Sequence, residues 1–425
     1  MQATPSPSTP STNMSAWRGP RWALAMLVAA LGSLGPFAID AYLPAFEGMA
    51  RDLGATPVQM QQTLSVYLFG FALMNLFHGA LSDSVGRRPV ILVGTSLFSL
   101  ASVGCAMAPS IGWLLVCRVL QGVSAGAGMV VARALVRDLY TPVEAQRVMS
   151  QVTLFFGVAP AVAPMFGGLL YAQFGWASIF WFLAASTALV AIVNARWLPE
   201  TLRAEQRQPL SVGSLLRGYA TLLRHRSFVR LVLVSSVPFN GFFLYVLSAP
   251  AFLGELLHVP PTQFFLFFLV TIGGVMLGAA VSGRLAGRLE PRRQVMRGFR
   301  IMGLAMVINI TVSLALPPHP LWSTLPLGLY SFGWSLMTPA VTLMALDLVP
   351  QRRGMASSLQ SCIGSLANAM CAGVVAPLVM HSAVGLALAS AGVMTVGLVA
   401  WLGVRGQLHP GGAGGGEGRK PEKQP

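Results

Sequence analysis

Two charges of opposite sign stand alone in the apolar bulk of this chain. Arg118 lies well inside an apolar block, and Asp40 is the one acidic residue that falls on neither a tail, a loop nor the extreme end of such a block. An arginine deep in a bilayer costs about 2.5–3.5 kcal/mol on insertion scales, so it must face a protein interior and find a partner there. Asp40 is its natural partner, because each lies near the same end of its own apolar segment. In apolar surroundings desolvation favours the neutral form of a carboxylate, and a nearby cation favours the charged form. Its protonation therefore answers to whatever else enters the site, which is the chemistry that proton-coupled exchange requires. Two plainer arrangements stay open: Arg118 bonded only to helix carbonyls, and Asp40 capping a break before Pro44 or lying at the outer interface.

No catalytic set competes with this pair. The phosphate-cradling pattern G-x-x-x-x-G-K-[ST] is absent, and both lysines, Lys420 and Lys423, sit in the C-terminal tail, which removes an ATP-driven pump of that type. His78, His225, His258, His319 and His381 are isolated from one another and read as interface or loop histidines. Cys105, Cys117, Cys362 and Cys371 all fall in apolar segments with no ligand spacing, and read as small core residues. The expectation is no catalytic residue, no metal, no cofactor and no enzyme.

The elements that must position the pair are membrane helices. The 425 residues are 54% hydrophobic and only 10% charged, with mean hydropathy +0.66, whereas soluble chains average about 25% charged. Apolar residues come in blocks of about 20, long enough to cross a hydrocarbon core of about 30 Å as helices, and helices satisfy their own backbone in lipid. Twelve spans follow, at 22–44, 58–81, 90–108, 112–135, 148–171, 176–197, 228–252, 264–285, 299–316, 321–346, 354–380 and 383–404. The chain is thus expected to be an all-α polytopic membrane protein. It divides into a disordered tail (1–21), a six-helix bundle (22–197), a linker (198–227), a second six-helix bundle (228–404) and a disordered basic tail (405–425). The first tail shows no cleavable leader.

The net charge of +15 would raise nucleic acid as a partner in a soluble chain, but the basic residues are scattered through short loops and form no patch. Of the 28 basic residues, Arg51 alone lies on a loop after an odd-numbered span, and Arg118 lies within a span. The rest sit on the tails, the even loops or the adjoining turns, which places both termini in the cytoplasm. A shift of 204 positions lays Gly79 on Gly283, Leu81 on Leu285 and Arg88 on Arg292, a faint internal repeat of the kind secondary transporters carry.

After the second span the chain reads Gly79-Ala80-Leu81-Ser82-Asp83-Ser84-Val85-Gly86-Arg87-Arg88. Its glycines permit close packing and a tight turn, and Asp83 can face a neighbouring helix N-terminus or pair with Arg87. The shifted copy has Gly287 in place of Asp83, so any latch built here is asymmetric. The fourth span carries Arg118-Val119-Leu120-Gln121-Gly122. The fifth holds Gly157, Pro160, Pro164, Gly167 and Gly168, which would kink it and let it approach a neighbour. Gly274, Gly278 and Gly283 of the eighth span offer it a complementary small-residue face.

These segments resemble motifs A, B and C of the major facilitator superfamily, motif C with Ala163 in place of a glycine. Asp40-Ala41-Tyr42-Leu43-Pro44-Ala45, Arg137-Asp138, Gly175-Trp176 and Pro199-Glu200-Thr201 are similar to the Bcr/CflA drug-resistance branch. The resemblance implies two pseudo-symmetric six-helix bundles in the bacterial inner membrane and export of small drug-like molecules in exchange for protons by a monomer. It casts Asp40 and Arg118 as the proton-coupling pair, Gly79, Asp83, Gly86, Arg87 and Arg88 as a conformational latch, and Arg118, Gln121 and Gly122 as motif B. It makes the glycines and prolines of span five a hinge. Substrate, protons and lipid are the partners implied, without nucleic acid. Tyr42, Tyr67, Phe71, Asn75, Phe239, Asn240, Phe243, Tyr245 and Asn368 are the candidates to line a cavity. Proton-coupled uptake of a metabolite, or a receptor that keeps the fold without transport, are the alternatives; sparse polar residues inside the membrane disfavour the first.

Overall fold

The structure, a computed structural model, describes residues 21–140, 144, 148, 159, 162–202 and 204–407. The first half comprises α1 (Arg21–Asp40), α2 (Phe46–Asp52), α3 (Pro57–Asn75), α4 (His78–Val85), α5 (Arg87–Ala106), α6 (Ile111–Leu139), α7 (Val162–Phe174) and α8 (Ala177–Trp197). After α9 (Val212–Arg224) come α10 (Arg226–Ser236), α11 (Asn240–Leu247), α12 (Phe265–Leu285), α13 (Pro291–Ala315), α14 (Pro320–Asp347), α15 (Arg353–Met370), α16 (Ala376–Val379) and α17 (Ala383–Val404). Among the described residues there is no strand.

Among the described residues, nine helical stretches are long and apolar enough to cross a membrane, and two bent pairs, α3 with α4 (48°) and α10 with α11 (45°), bring the number to eleven. The shorter apolar helix α7 stands where the remaining span is expected, so the architecture accommodates twelve. The outward faces are as apolar as the core: Leu100, Leu189, Ile192, Leu277 and Val307 are each more than 60% exposed, as lipid-facing side chains must be.

Local chemistry sets the helix ends. Thr56 and Gln59 form a reciprocal capping box ahead of Pro57 at the start of α3, with Gln59 N donating to Thr56 Oγ1 at 3.2 Å and Thr56 N donating to Gln59 Oε1 at 2.9 Å. Ser110 and Ser382 cap α6 and α17. The bend between α10 and α11 falls at Pro238, whose ring cannot continue the ladder.

Within the first half α3 packs on α6, and α5 on α6 and α8; within the second α14 packs on α12 and α13, while α3 and α15 bridge the halves. On the face away from the basic loops the halves are fastened together. Gln61 Nε2 donates to Leu247 O (2.9 Å), Gln62 Nε2 to Gly373 O (3.0 Å) and Ser65 Oγ to Ala369 O (2.9 Å). On the basic face they part around a cleft of about 570 Å³, bounded by Asn75, Gly79 and Asp83 on one side and by Arg352, Met355 and Ser358 on the other.

Within the linker, α9 occupies the second part. Two expectations are corrected. Gly274 and Gly278 pack against the backbone of Gly328 and Phe332 on α14 rather than facing span five, and a side chain at Gly283 would meet nothing. His78 is neither an interface nor a loop residue; it is buried at the bend between α3 and α4.

Candidate functional site

Asp40 ends α1 at only 5% exposure. Among the described residues, no hydrogen bond or ion pair reaches its carboxylate. It borders a chamber of about 360 Å³ between the halves, formed from α1 and α3 on one side and α11, α12, α14 and α15 on the other. Phe239 anchors the opposite wall, its ring centroid 4.9 Å from those of Phe242, Phe243 and Trp334. Tyr67, Phe71, Phe268, Ser365 and Asn368 complete much of the lining, and Asp40 is the single charged residue among the described ones. Asn368 Oδ1 is buried and lacks a hydrogen-bond partner among the described residues. The chamber is therefore an apolar, aromatic volume with an acidic group and an amide oxygen free to accept, the general form of a small-molecule site.

Arg118 does not pair with Asp40, contrary to the sequence expectation. It is completely buried, with its guanidinium carbon 4.4 Å from the ring centroids of both Tyr42 and Tyr67. Nη1 donates to Gln121 Oε1 (2.8 Å) and Ala38 O (3.3 Å), and Nε to Thr63 O (3.4 Å). Two π faces and two carbonyls thus replace the carboxylate. The second motif B residue is held in turn, since Gln121 Nε2 donates to Ser102 Oγ at 2.7 Å. The third explains itself sterically: a Cβ on Gly122 would strike the Tyr67 backbone, so only glycine lets α6 bring Arg118 under that ring.

The candidate cavity residues divide. Tyr67, Phe71, Asn368, Phe239 and Phe243 reach the chamber. Tyr42 instead lies against Arg118, its hydroxyl paired with Thr63 Oγ1 at 2.8 Å. Asn75 borders the basic-face cleft. Asn240 is buried beside Ser236 O, and Tyr245 accepts a hydrogen bond from Asn309 Nδ2 at 2.7 Å behind the wall. Trp334 and Phe242 were missed, because nothing in an apolar helix marks the face that turns inward.

At the basic end of the first half, Arg87 Nη1 meets Asp83 Oδ1 at 2.5 Å and Nε meets Asp138 Oδ2 at 3.2 Å. Of the two geometries open to Asp83, the structure adopts the pair with Arg87. The helix N-terminus is served by Glu200, whose carboxylate accepts from the backbone N–H of Arg87 (3.0 Å) and Arg88 (3.2 Å). Gly86 makes the turn at φ +116°, and a Cβ there would collide with that carboxylate. Arg88 Nη2 donates to Ala195 O at 2.6 Å. These contacts bind α4, α5, α6 and the residues after α8 into one cluster within the first half.

Gly157 and Pro160 lie outside the described residues. Pro164, Gly167 and Gly168 are on α7. Gly167 abuts the backbone of Ala41, next to Asp40, and a Cβ on Gly168 would lie 2.9 Å from Pro261 O of the second half. The small residues of this span therefore touch both the Asp40 segment and the seam. The four cysteines are buried and unpaired as thiols.

Two helical bundles around a chamber between them, in a chain with apolar helices long enough to cross a membrane, have the architecture of a membrane transporter. Comparison with known proteins places it: residues 23–372 match the Major Facilitator Superfamily, and the chain belongs to that family. It is 33% identical to the uncharacterized MFS-type transporter YdgK of Bacillus subtilis, over 84% of this chain and 89% of that one. It is 29% identical to a bicyclomycin resistance protein homolog of Haemophilus influenzae (83% and 88%) and 30% identical to multidrug resistance protein D of Escherichia coli (81% and 85%). A bacterial homolog of the human lysosomal transporter Spinster, solved inward-facing and unoccupied, superposes with a TM-score of 0.67 over 91% of this chain and 97% of that one. At 17% identity that likeness speaks for the fold alone.

Proposed function

We propose that this transporter exports small drug-like molecules from the cytoplasm in exchange for protons, with Asp40 as the proton carrier and the basic face on the cytoplasmic side of a bacterial inner membrane. The observation that carries the proposal is the unpaired carboxylate of Asp40 on the wall of an otherwise apolar, aromatic chamber. The relatives described as multidrug and bicyclomycin resistance proteins support the direction and the kind of substrate.

In this reading, a substrate with a large apolar surface and a donor or positive group enters from the basic-face cleft and fills the chamber against Phe239 and Trp334. Its donor or cation meets ionised Asp40. When the chamber opens to the other side, a proton neutralises the carboxylate and the substrate leaves. Exchange needs the two forms of Asp40 to favour different ligands, since a ligand with equal affinity for both states shifts nothing.

The test is proton movement in inside-out vesicles with an acid interior and amphenicols, bicyclomycin and cationic dyes added outside. At least one compound should draw protons out through the wild type and none through Asp40→Asn. Proton release that persists in well-folded Asp40→Asn would remove Asp40 as carrier, and silence of the wild type across the panel would defeat export of these compounds.

A further inference from the structure

The helix between the halves has three faces. Leu215, Gly218, Tyr219 and Leu222, at the spacing of one helical side, turn toward the protein. Tyr219 Oη donates to Leu76 O of α3 at 2.8 Å, Ser358 of α15 reaches the same hydroxyl, and Gly218 lies against Met355. The helix thus touches both halves beside the cleft. Thr221 and Ser214 lie about 100° round from that side, on an exposed polar face.

The third face has no partner among the described residues. Val212, Leu216 and Leu223 are 47%, 52% and 51% exposed, and at 3.6 residues per turn they fall within an arc of about 40°. Arg217 and Arg224 lie roughly 100° further round, both exposed. Between 207 and 230 the chain carries Arg207, Arg217, Arg224, Arg226 and Arg230 and no acidic residue. His225 alone separates α9 from α10, which begins a membrane span, so the C-terminal end of α9 is fixed at the level where the chain enters the bilayer. An apolar stripe bordered by arginines at that depth is the pattern of an interfacial helix.

We propose that α9 rests in the headgroup layer, its Val212–Leu216–Leu223 stripe among acyl chains and Arg217 and Arg224 on the phosphates of anionic phospholipid. Charge complementarity selects that occupant: the exposed side of α9 carries Arg217 and Arg224 and no acidic residue, and about 1 kcal/mol per arginine is gained at an anionic surface. Because α9 also touches Leu76 on one half and Met355 on the other, lipid that holds it down holds a strap across the mouth of the cleft.

Two measurements on the full chain in nanodiscs test this. Spin labels at 216 and 223, with the four native cysteines replaced by alanine, should be more accessible to oxygen than to a water-soluble nickel complex, and a label at Thr221 the reverse. Without labels, amide hydrogen exchange in α9 should be slower in phosphatidylglycerol than in phosphatidylcholine, by about 30-fold for two arginines, and Arg217→Gln with Arg224→Gln should abolish that difference. Nickel access at 216 and 223 equal to that at 221 would overturn the lipid contact. Equal exchange in the two lipids would overturn the role of anionic headgroups.

Discussion

Replacing Gly168 by alanine tests whether α7 closes the seam between the halves. The added methyl would sit 2.9 Å from Pro261 O, 3.3 Å from Pro261 C and 3.3 Å from Thr262 Cα. All three are backbone atoms, so no rotamer change relieves the contact. The halves must separate there by a few tenths of an ångström. Overpacking of this kind costs about 1–3 kcal/mol, and the cost falls only on conformations in which the two surfaces touch. The ratio of open to closed seam should therefore rise about 5- to 150-fold. Electron–electron distance measurements between labels at Val58 and Pro318, on opposite halves at that face, should show a longer distance gaining population in Gly168→Ala. Gly112→Ala, where a methyl meets nothing within 4 Å, should leave the distribution unchanged. Gly167→Ala is the sharper control, because its methyl would strike Ala41 within the same half and should lower stability without favouring either state. Loss of stability in Gly168→Ala with no change in distance would refute the assignment of this residue to the seam.

Two further outcomes follow from the same geometry. Arg118→Lys keeps the charge but loses the planar fork that stacks on Tyr42 and Tyr67 and bonds Gln121 and two carbonyls. About 2 kcal/mol of stability and most of the transport should disappear; an unchanged melting temperature would show that these contacts carry little. Glu200→Gln removes the negative charge at the N-terminus of α5 while leaving an oxygen to accept. It should lower thermal stability by about 1 kcal/mol, and retention of full stability in detergent would argue against Glu200 as the cap.

The helices were readable because lipid demands long apolar blocks and the loops between them concentrate arginine. Their rotation was not. In a span that contacts lipid on one side and protein on the other, both faces are apolar, so periodicity carries little information. That is why Trp334 and Phe242 escaped notice while Tyr245 and Asn240 were drawn in, and why Gly274 was assigned the wrong neighbour. The α9 segment was read from its prolines and arginines as a linker, although 215, 218, 219 and 222 follow a helical spacing. Glu200 and Asp138 were visible only as marks of a family branch. Their roles depend on chain reversals across 113 residues, from Arg87 to Glu200, and 51, from Arg87 to Asp138, that no local pattern encodes.

The expected ion pair failed for a reason that bears on the proposed exchange. Elimination left Asp40 as the one acidic partner for Arg118, with helix carbonyls as the plainer alternative, but aromatic faces were not weighed as a way to stabilise a buried guanidinium. With Tyr42, Tyr67, Gln121, Ala38 and Thr63 serving Arg118, the carboxylate is left uncommitted on the chamber side. A proton or a donor-bearing substrate can then take Asp40 without first breaking a salt bridge, whereas removing one partner of a closed buried pair costs about 3–5 kcal/mol. Tyr67 belongs to both environments, lining the chamber and stacking on Arg118, so a ligand that displaces its ring also disturbs the cation behind it. In the proposed exchange, the Tyr67 ring is thus the contact through which a ligand in the chamber reaches Arg118.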